Sequence, residues 1–440
     1  MDSSLRKLYI LGICGRLTGS IAIFAKKKGI EVRGCDWRKN PPVAPMLEEQ
    51  GIEISLGYNF SDIENFAPDL ILIGTTHIRG EAIVEQILAS GIRYISAAAF
   101  IGEYILRDKW VLGVSGTHGK TTTASMLAHI LKEAGKQPSY LIGGVAESLG
   151  TSFHFTDASP YFVIEADEYK TSFWDPRPKF VHYRPKTLII NNVEEDHNSV
   201  YANLEAIEAA FHSCTLLVPS NGLLVFPANS ESVKSIEARG IHCAAKKFGS
   251  EGYTGKALKE DFSKFTVLID GKESAEVEWS MLGQHNMNNG LAAIAAAEHV
   301  GVDTFTAAKA LSCFRGAADR LTKIGTSNGI SIWRDYGYHP TSVTATLKAL
   351  RQHVGPKARI VAGIPLHWQL NWGPLYRDGL INASTYVDAV VLYANRDKVA
   401  GYPAEQFAEF MRPKVQSTRD PAEFEKLLFE QAEPGTHTGT

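Results

Sequence analysis

The segment Gly113-Val-Ser-Gly-Thr-His-Gly-Lys-Thr-Thr-Thr123 constrains this chain more than any other stretch. It ends an apolar run at Trp110–Val114 and opens a helix-like run at Thr122–Ala134. A buried strand, a glycine turn, Lys-Thr and a helix make the layout that wraps backbone N–H groups around the phosphates of a nucleotide. In that layout Lys120 reaches the terminal phosphates and the Thr121 hydroxyl sits on Mg²⁺. The general phosphate-loop spacing is not met, because its first glycine falls on Val114. Gly116-Thr-His-Gly-Lys-Thr121 is a narrower variant.

The flanks repeat the alternation of strand and helix and predict an α/β fold with parallel sheets. Lys7–Ile13 reads as a strand entering Gly12-Ile-Cys-Gly15-Arg-Leu-Thr-Gly19, followed by a helix at Ser20–Lys28 and a strand at Gly29–Cys35 that ends at Asp36. This is a Rossmann-like βαβ unit with an acidic residue after its second strand. A strand at Asp69–Ile73, a loop with Arg79 and a helix at Glu81–Ser90 continue it. The length of 440 residues suits about three domains. Their expected bounds are 1–107, 108–313 and 314–440, the third with strands at Ile330–Trp333, Arg359–Ala362 and Ala389–Tyr393. Phe262–Trp279 alternates like antiparallel strands, and Asn289–Val300 is alanine-rich and helical.

Charge and cysteine usage exclude several classes. A net charge of −3 gives no reason to expect nucleic acid or an anionic membrane as partner. Five dispersed cysteines without a Cys-x-x-Cys pair fit reduced thiols in the cytoplasm. The apolar run Leu8–Cys14 is short and set among glycines, so it reads as a buried strand and no leader, and no run reaches spanning length.

Two polar clusters follow short apolar strands in the central region. Glu165-Ala-Asp-Glu168 follows Tyr161–Ile164, and Asn191-Asn-Val-Glu-Glu-Asp-His197 follows Thr187–Ile190. Either alone is ordinarily a solvated loop. Ligands gather at the C-terminal edge of such sheets, so two clusters at equivalent strand ends favour a metal beside phosphate oxygens. Gly283-Gln-His-Asn-Met-Asn-Asn289 precedes a helix; Asn289 either caps that helix or joins His285 and Asn286 in contacting a base. The glycines of the first turn are equally read as tight-turn residues or as a pyrophosphate cradle.

Taken in order, these motifs resemble the Mur ligase family of ATP-dependent amino-acid and peptide ligases of murein synthesis. Arg320 and Asp335-Tyr-Gly-Tyr-His-Pro340 extend the likeness, and Ile10-Leu-Gly-Ile-Cys-Gly15, Glu165-Ala-Asp-Glu-Tyr169 and Lys179-Phe-Val-His-Tyr183 resemble the branch that recycles tripeptide. The resemblance implies an N-terminal domain binding UDP-N-acetylmuramate through Gly12, Cys14, Gly15, Gly19, Asp36 and Arg79. It implies a central phosphate-loop domain holding ATP at Gly116, Thr117, His118, Gly119, Lys120, Thr121 and Thr122, aided by Asn286, Asn289, Arg320 and Asp335. Lys120 is then the catalytic group, and Thr121, Glu165 and His197 hold Mg²⁺. A Rossmann-like C-terminal domain presents the peptide amine, which attacks an acyl phosphate of the muramyl carboxylate. The partners implied are UDP-N-acetylmuramate and the murein tripeptide; oligomeric state is not indicated.

The chain departs from the family pattern at four places. Tyr338 stands where the motif has histidine, Lys170 reverses an acidic position, and Gly363-Ile-Pro-Leu-His-Trp-Gln-Leu-Asn-Trp-Gly373 lacks the branch's arginine. His367 cannot make the bidentate carboxylate clamp of an arginine. The last segment, Pro434–Thr440, replaces an apolar strand and helix, so the third domain is expected to lack a strand and expose a sheet edge. Two alternatives stay open: ligation of L-alanine to the same sugar, and a non-catalytic relative that binds UDP-sugar and ATP.

Overall fold

The computed structural model describes residues 5–195, 201–366, 374–394 and 414–439. Among them lie three sheets. The first joins β1 (Lys7–Leu11), β2 (Glu31–Asp36), β3 (Glu53–Leu56), β4 (Leu70–Ile73) and β5 (Tyr94–Ser96) in the order β3-β2-β1-β4-β5, all pairs parallel. The order reverses at β1, the switch point where an open α/β sheet presents a crevice. Helix Arg16–Lys27 starts there, directly after Gly15.

The central sheet contains β6 (Trp110–Ser115), β7 (Ser139–Leu141), β8 (Phe153–His154), β9 (Tyr161–Glu165), β10 (Thr187–Ile190), β11 (Leu223–Pro227), β12 (Ala244–Gly249), β13 (Tyr253–Ala257), β14 (Lys264–Ile269) and β15 (Lys272–Glu278). Its order is β15-β14-β13-β12-β11-β10-β6-β9-β7-β8. β6 lies between β9 and β10, and its parallel register pairs Val114 with Glu165 and Ser115 with Ile190. The turn leaving β6 is thereby flanked by both acidic segments. β13, β14 and β15 are antiparallel neighbours, as the alternation at Phe262–Trp279 predicts.

Helix Lys120–Glu133 packs on helix Gln284–Glu298, and both carry small residues, among them Ala124, Ala128, Ala292 and Ala296, all fully buried. Small side chains let the helix axes approach closely and carry the phosphate turn on a stiff base. The second helix begins at Gln284, earlier than the apolar pattern predicts. Gly283, with φ of 86°, is its N-cap. Asn289 therefore lies within the helix and is not its cap, because the polar stretch Gln284–Asn289 is helical too.

The third sheet holds β16 (Thr322–Ser327), β17 (Ile330–Arg334), β18 (Ile360–Pro365), β19 (Ala389–Tyr393), β20 (Lys414–Thr418) and β21 (His437–Gly439), in the order β16-β17-β21-β18-β19-β20. The expectation of a missing strand is corrected here. β21 is short, but it pairs in parallel with β17 (Ser331 opposite His437) and β18 (Ile360 opposite His437), closing the gap between them. Three residues suffice for this because the strand is paired on both sides, and Thr436 and Thr438, which share one face, are buried. Helix Pro340–Val354 has proline at its first turn and His339 as N-cap. Among the described residues no helix is long and apolar enough to cross a membrane.

Candidate active site

The phosphate turn is built from two glycines in conformations that side chains avoid. Gly116 has φ of 135° and Gly119 has φ of 77°. A Cβ on Gly119 would lie 2.8 Å from Asn289 Oδ1 and 2.9 Å from Asn191 Nδ2. The turn is thus hemmed in by the asparagines of two other elements. Asn192 Oδ1 accepts from the His118 N–H at 2.8 Å, and Asn191 Nδ2 donates to Thr123 Oγ1 at 2.9 Å. The helix after Gly119 has no side-chain cap, so its first N–H groups point into the cleft.

Lys120 is nearly buried. Its Nζ donates to Gly116 O at 2.7 Å and to Glu168 Oε2 at 3.0 Å. Burial opposes its charge, but Glu168, Asp167 and Glu165 outweigh burial and hold the ammonium above its ordinary pKa. Thr121 Oγ1 donates to both oxygens of Glu165, at 3.1 and 3.0 Å, and the Gly143 N–H reaches Glu165 Oε2 at 2.7 Å. Burial and the neighbouring Asp167 push the Glu165 carboxyl up, against Lys120 and the two hydrogen bonds. A desolvated carboxylate beside a hydroxyl is a hard-oxygen donor set that a small divalent cation would relieve. The sequence-based metal ligands Thr121 and Glu165 are therefore adjacent; His197 lies outside the described residues.

The residues expected to position the nucleotide converge on the same cleft. Asn286, Asn289, Arg320 and Asp335 line it together with His118, Gly119, Thr121 and Thr122. Asn286 is buried and donates to Leu282 O at 2.8 Å. Asp335 accepts from the Leu321 and Gly337 N–H groups, each at 2.7 Å, so it shapes the turn that carries Arg320 and Tyr336 as well as facing the cleft. Burial raises its pKa against those bonds and Arg320. The Arg320 guanidinium sits over the Tyr336 ring, 5.2 Å from its centroid. Tyr338 borders the pocket shared by Lys120, Glu165 and Asp167, at the place of the family histidine. Lys170 is exposed, its backbone bridged to Pro178, and so faces solvent. His367 and Trp368 lie outside the described residues.

The N-terminal turn is a quieter construction. Gly12 has φ of 77°, and Gly15 is the uncapped N-terminus of helix Arg16–Lys27. The Cys14 N–H donates to Asp36 Oδ2 at 2.9 Å, tying the turn to the end of β2. Gly19 is required by packing, since a Cβ there would meet Val43 at 2.3 Å. Arg79 is exposed and engages Glu85 through Nε at 2.9 Å. The first domain touches the second where Arg16 Nη1 donates to Gly143 O at 3.2 Å, on the same glycine whose N–H reaches Glu165.

Sequence reasoning left out three participants. Glu168 pairs with Lys120, and its position inside Glu165-Ala-Asp-Glu168 is the signal that could have found it. Glu194 lies beside His118 and accepts from Thr341 Oγ1 at 2.7 Å, linking the central and C-terminal domains. His77 is buried behind Gly12, with Nδ1 2.6 Å from Glu81. Glu194 belongs to the Asn191–His197 cluster, but its pairing with His118 and Thr341 comes from tertiary packing; His77 belongs to no such cluster.

Comparison with known proteins accounts for this arrangement. Three family descriptions match in chain order: Mur ligase family, catalytic domain, over 7–109; Mur ligase middle domain over 114–297; and Mur ligase, glutamate ligase domain, over 319–438. The UDP-N-acetylmuramate–L-alanyl-γ-D-glutamyl-meso-2,6-diaminoheptandioate ligase of Escherichia coli K12 is 45% identical over 357 residues, 81% of this chain and 78% of that protein. A UDP-N-acetylmuramate–L-alanine ligase of Caldicellulosiruptor bescii is 32% identical over 79% of this chain and 75% of that one. The crystal structure of a murein peptide ligase from Psychrobacter arcticus superposes with a TM-score of 0.75 at 33% identity, covering 99% of this chain and 95% of that one. By its three-domain architecture and these matches, the chain belongs to the Mur ligase family.

Proposed function

We propose that this protein joins L-alanyl-γ-D-glutamyl-meso-diaminopimelate to UDP-N-acetylmuramate at the expense of ATP, in the cytoplasm, as a step of peptidoglycan recycling. The observation that carries the reading is the convergence of Lys120, Thr121, Glu165 and Glu168 beneath a cleft bordered by the C-terminal domain. The higher identity to the tripeptide ligase than to the alanine ligase supports the choice of acceptor.

In this reading residues 1–107 bind the UDP-sugar, 108–313 ATP and 314–440 the peptide. Gly12, Cys14, Gly15, Gly19 and Asp36 cradle the pyrophosphate side of the sugar nucleotide, with Arg79 at its edge. Gly116–Thr122 wrap the ATP phosphates, and Asn286, Asn289, Arg320 and Asp335 position the nucleoside. Lys120 is already charged and pre-positioned by Glu168, so its ammonium meets the γ-phosphoryl group without reorganisation. Thr121 and Glu165, with His197, would hold Mg²⁺, which supplies charge neutralisation at the phosphate oxygens. The muramyl carboxylate takes the γ-phosphoryl group as ADP leaves. The peptide amine then forms the amide bond, phosphate departs and the amine loses its proton.

The test is ADP release with UDP-N-acetylmuramate, with tripeptide, L-alanine or no acceptor. Tripeptide-dependent release is expected. A preference for L-alanine would move the protein to the other reaction, and saturable ATP binding without acceptor-dependent ADP would make it a binding relative.

A further inference from the structure

A second cluster of metal-ligating side chains stands apart from the Thr121–Glu165 pair. His118 comes from the phosphate turn, Glu194 from the segment after β10, and His339 from the N-cap of helix Pro340–Val354 in the C-terminal domain. One ligand atom from each lies within 4.8 Å of the others. His118 Nε2 is 3.5 Å and His339 Nδ1 3.8 Å from Glu194 Oε2. A tetrahedral ion with bonds of about 2.0–2.1 Å spaces its donors roughly 3.3–3.4 Å apart. The two spacings to Glu194 are therefore already near those of a coordination shell.

The hydrogen bonds around the cluster set the tautomers for ligation. His339 Nε2 lies 3.3 Å from Glu195 O, and a carbonyl only accepts, so Nε2 carries the proton. Its Nδ1 accepts from the Thr341 N–H at 3.3 Å and lies 3.8 Å from Glu194 Oε2, so a bound ion would take the place of that long N-cap bond. Orientation of one ring nitrogen by a backbone carbonyl is the usual support for a histidine ligand. His118 Nε2 is buried without a hydrogen-bond partner among the described residues, although it points at the carboxylate. The two imidazole rings lie 4.4 Å apart, centroid to centroid, with their planes tilted by 39°.

We propose that His118, Glu194 and His339 bind a divalent transition metal of the zinc class that ties the phosphate turn to the C-terminal domain. Two nitrogens and one carboxylate oxygen suit zinc or cobalt and not magnesium, which separates this site from the oxygen donors of Thr121 and Glu165. The ion spans the same two domains as the Thr341–Glu194 hydrogen bond, so binding holds them together and slows any turnover that requires them to part.

The experiment is titration of the full chain with Co²⁺ in excess Mg²⁺ and without nucleotide. One equivalent is expected to give the intense visible bands of four-coordinate cobalt, removed by Zn²⁺. The bands should vanish in both His118→Asn and Glu194→Gln, and persist in Glu165→Gln. Two substitutions on separate segments guard against one failing to fold, and zinc displacement is read on the unmodified protein. Only the pale spectrum of six-coordinate cobalt, or bands unchanged in His118→Asn, or bands lost in Glu165→Gln, would overturn the proposal.

Discussion

The Gly12–Gly19 turn and the Gly116–Thr121 turn begin from the same plan, yet they are equipped differently. Each follows a central parallel strand, leaves the left-handed region open to glycine, and ends at an uncapped helix N-terminus. In the first, the surroundings are the Cys14–Asp36 bond and His77. In the second, a lysine and a threonine open the helix, and the neighbouring strand delivers Glu165, Asp167 and Glu168 against them. Backbone geometry alone makes a cradle for phosphate. Moving a phosphoryl group needs charge that is fixed in advance, and only the second turn carries it. The reason is topological, because β6 has an acidic strand end on either side.

The strongest way to break this contrast is Lys120→Met. Tripeptide-dependent ADP formation should fall by at least about 10²–10³-fold, the scale for losing one pre-positioned group at developing charge. The substitution also strands the buried Glu168 and its neighbours, at roughly 3 kcal/mol of stability. Pairing it with Glu168→Gln should restore most of the melting temperature and none of the turnover. Retained activity in the single variant would mean that Lys120 only stabilises the fold.

Glu165→Gln separates cation binding from stability. The Mg²⁺ concentration needed for half-maximal ADP formation should rise by about 10–100-fold. The melting temperature without ligand should not fall, because the amide replaces a carboxylate whose charge is disfavoured by burial. An unchanged Mg²⁺ requirement would remove Glu165 from the metal site.

The contrast between turns also marks how far the sequence could be read. The βαβ unit at the N-terminus, the phosphate turn and the acidic strand ends were legible because short-range spacing dictates them. The convergence of Asn289 and Arg320 on that turn followed from the family resemblance and not from local pattern. Glu194 and His339 were not legible as a pair, since they are 145 positions apart and meet only through the docking of helix Pro340–Val354. The C-terminal strand was misread because three residues carry little periodic signal; their place is set by the slot between β17 and β18.

Glycine replacement compares the two turns directly. Gly119→Ala adds about 1–2 kcal/mol of left-handed strain, and its methyl group also meets Asn289 and Asn191. ATP-dependent thermal stabilisation should be lost. Gly15→Ala keeps an allowed backbone, and its methyl group meets only the Thr18 hydroxyl at 2.8 Å and Gly12 O at 3.4 Å. A cost of about 1 kcal/mol or less is expected, with UDP-sugar binding weakened and ATP binding intact. Equal losses of both ligands in either variant would show that the turns are coupled rather than separate.

The smallest expected effect concerns His285, which lines the cleft beside the phosphate turn next to Asn286. Burial lowers its pKa from 6.5 to about 4. Between those values the unfolded chain binds the proton and the folded chain does not, so stability rises with pH across this window and is lost as pH falls from 6.5 towards 4. With its partial solvent contact the loss should amount to about 2 kcal/mol, below the full value of the shift. His285→Gln keeps a polar side chain without the titration. Its melting temperature should therefore depend less on pH than that of the unmodified protein over this interval, with the two curves parallel above it. Curves parallel throughout would place the acid sensitivity on groups other than His285.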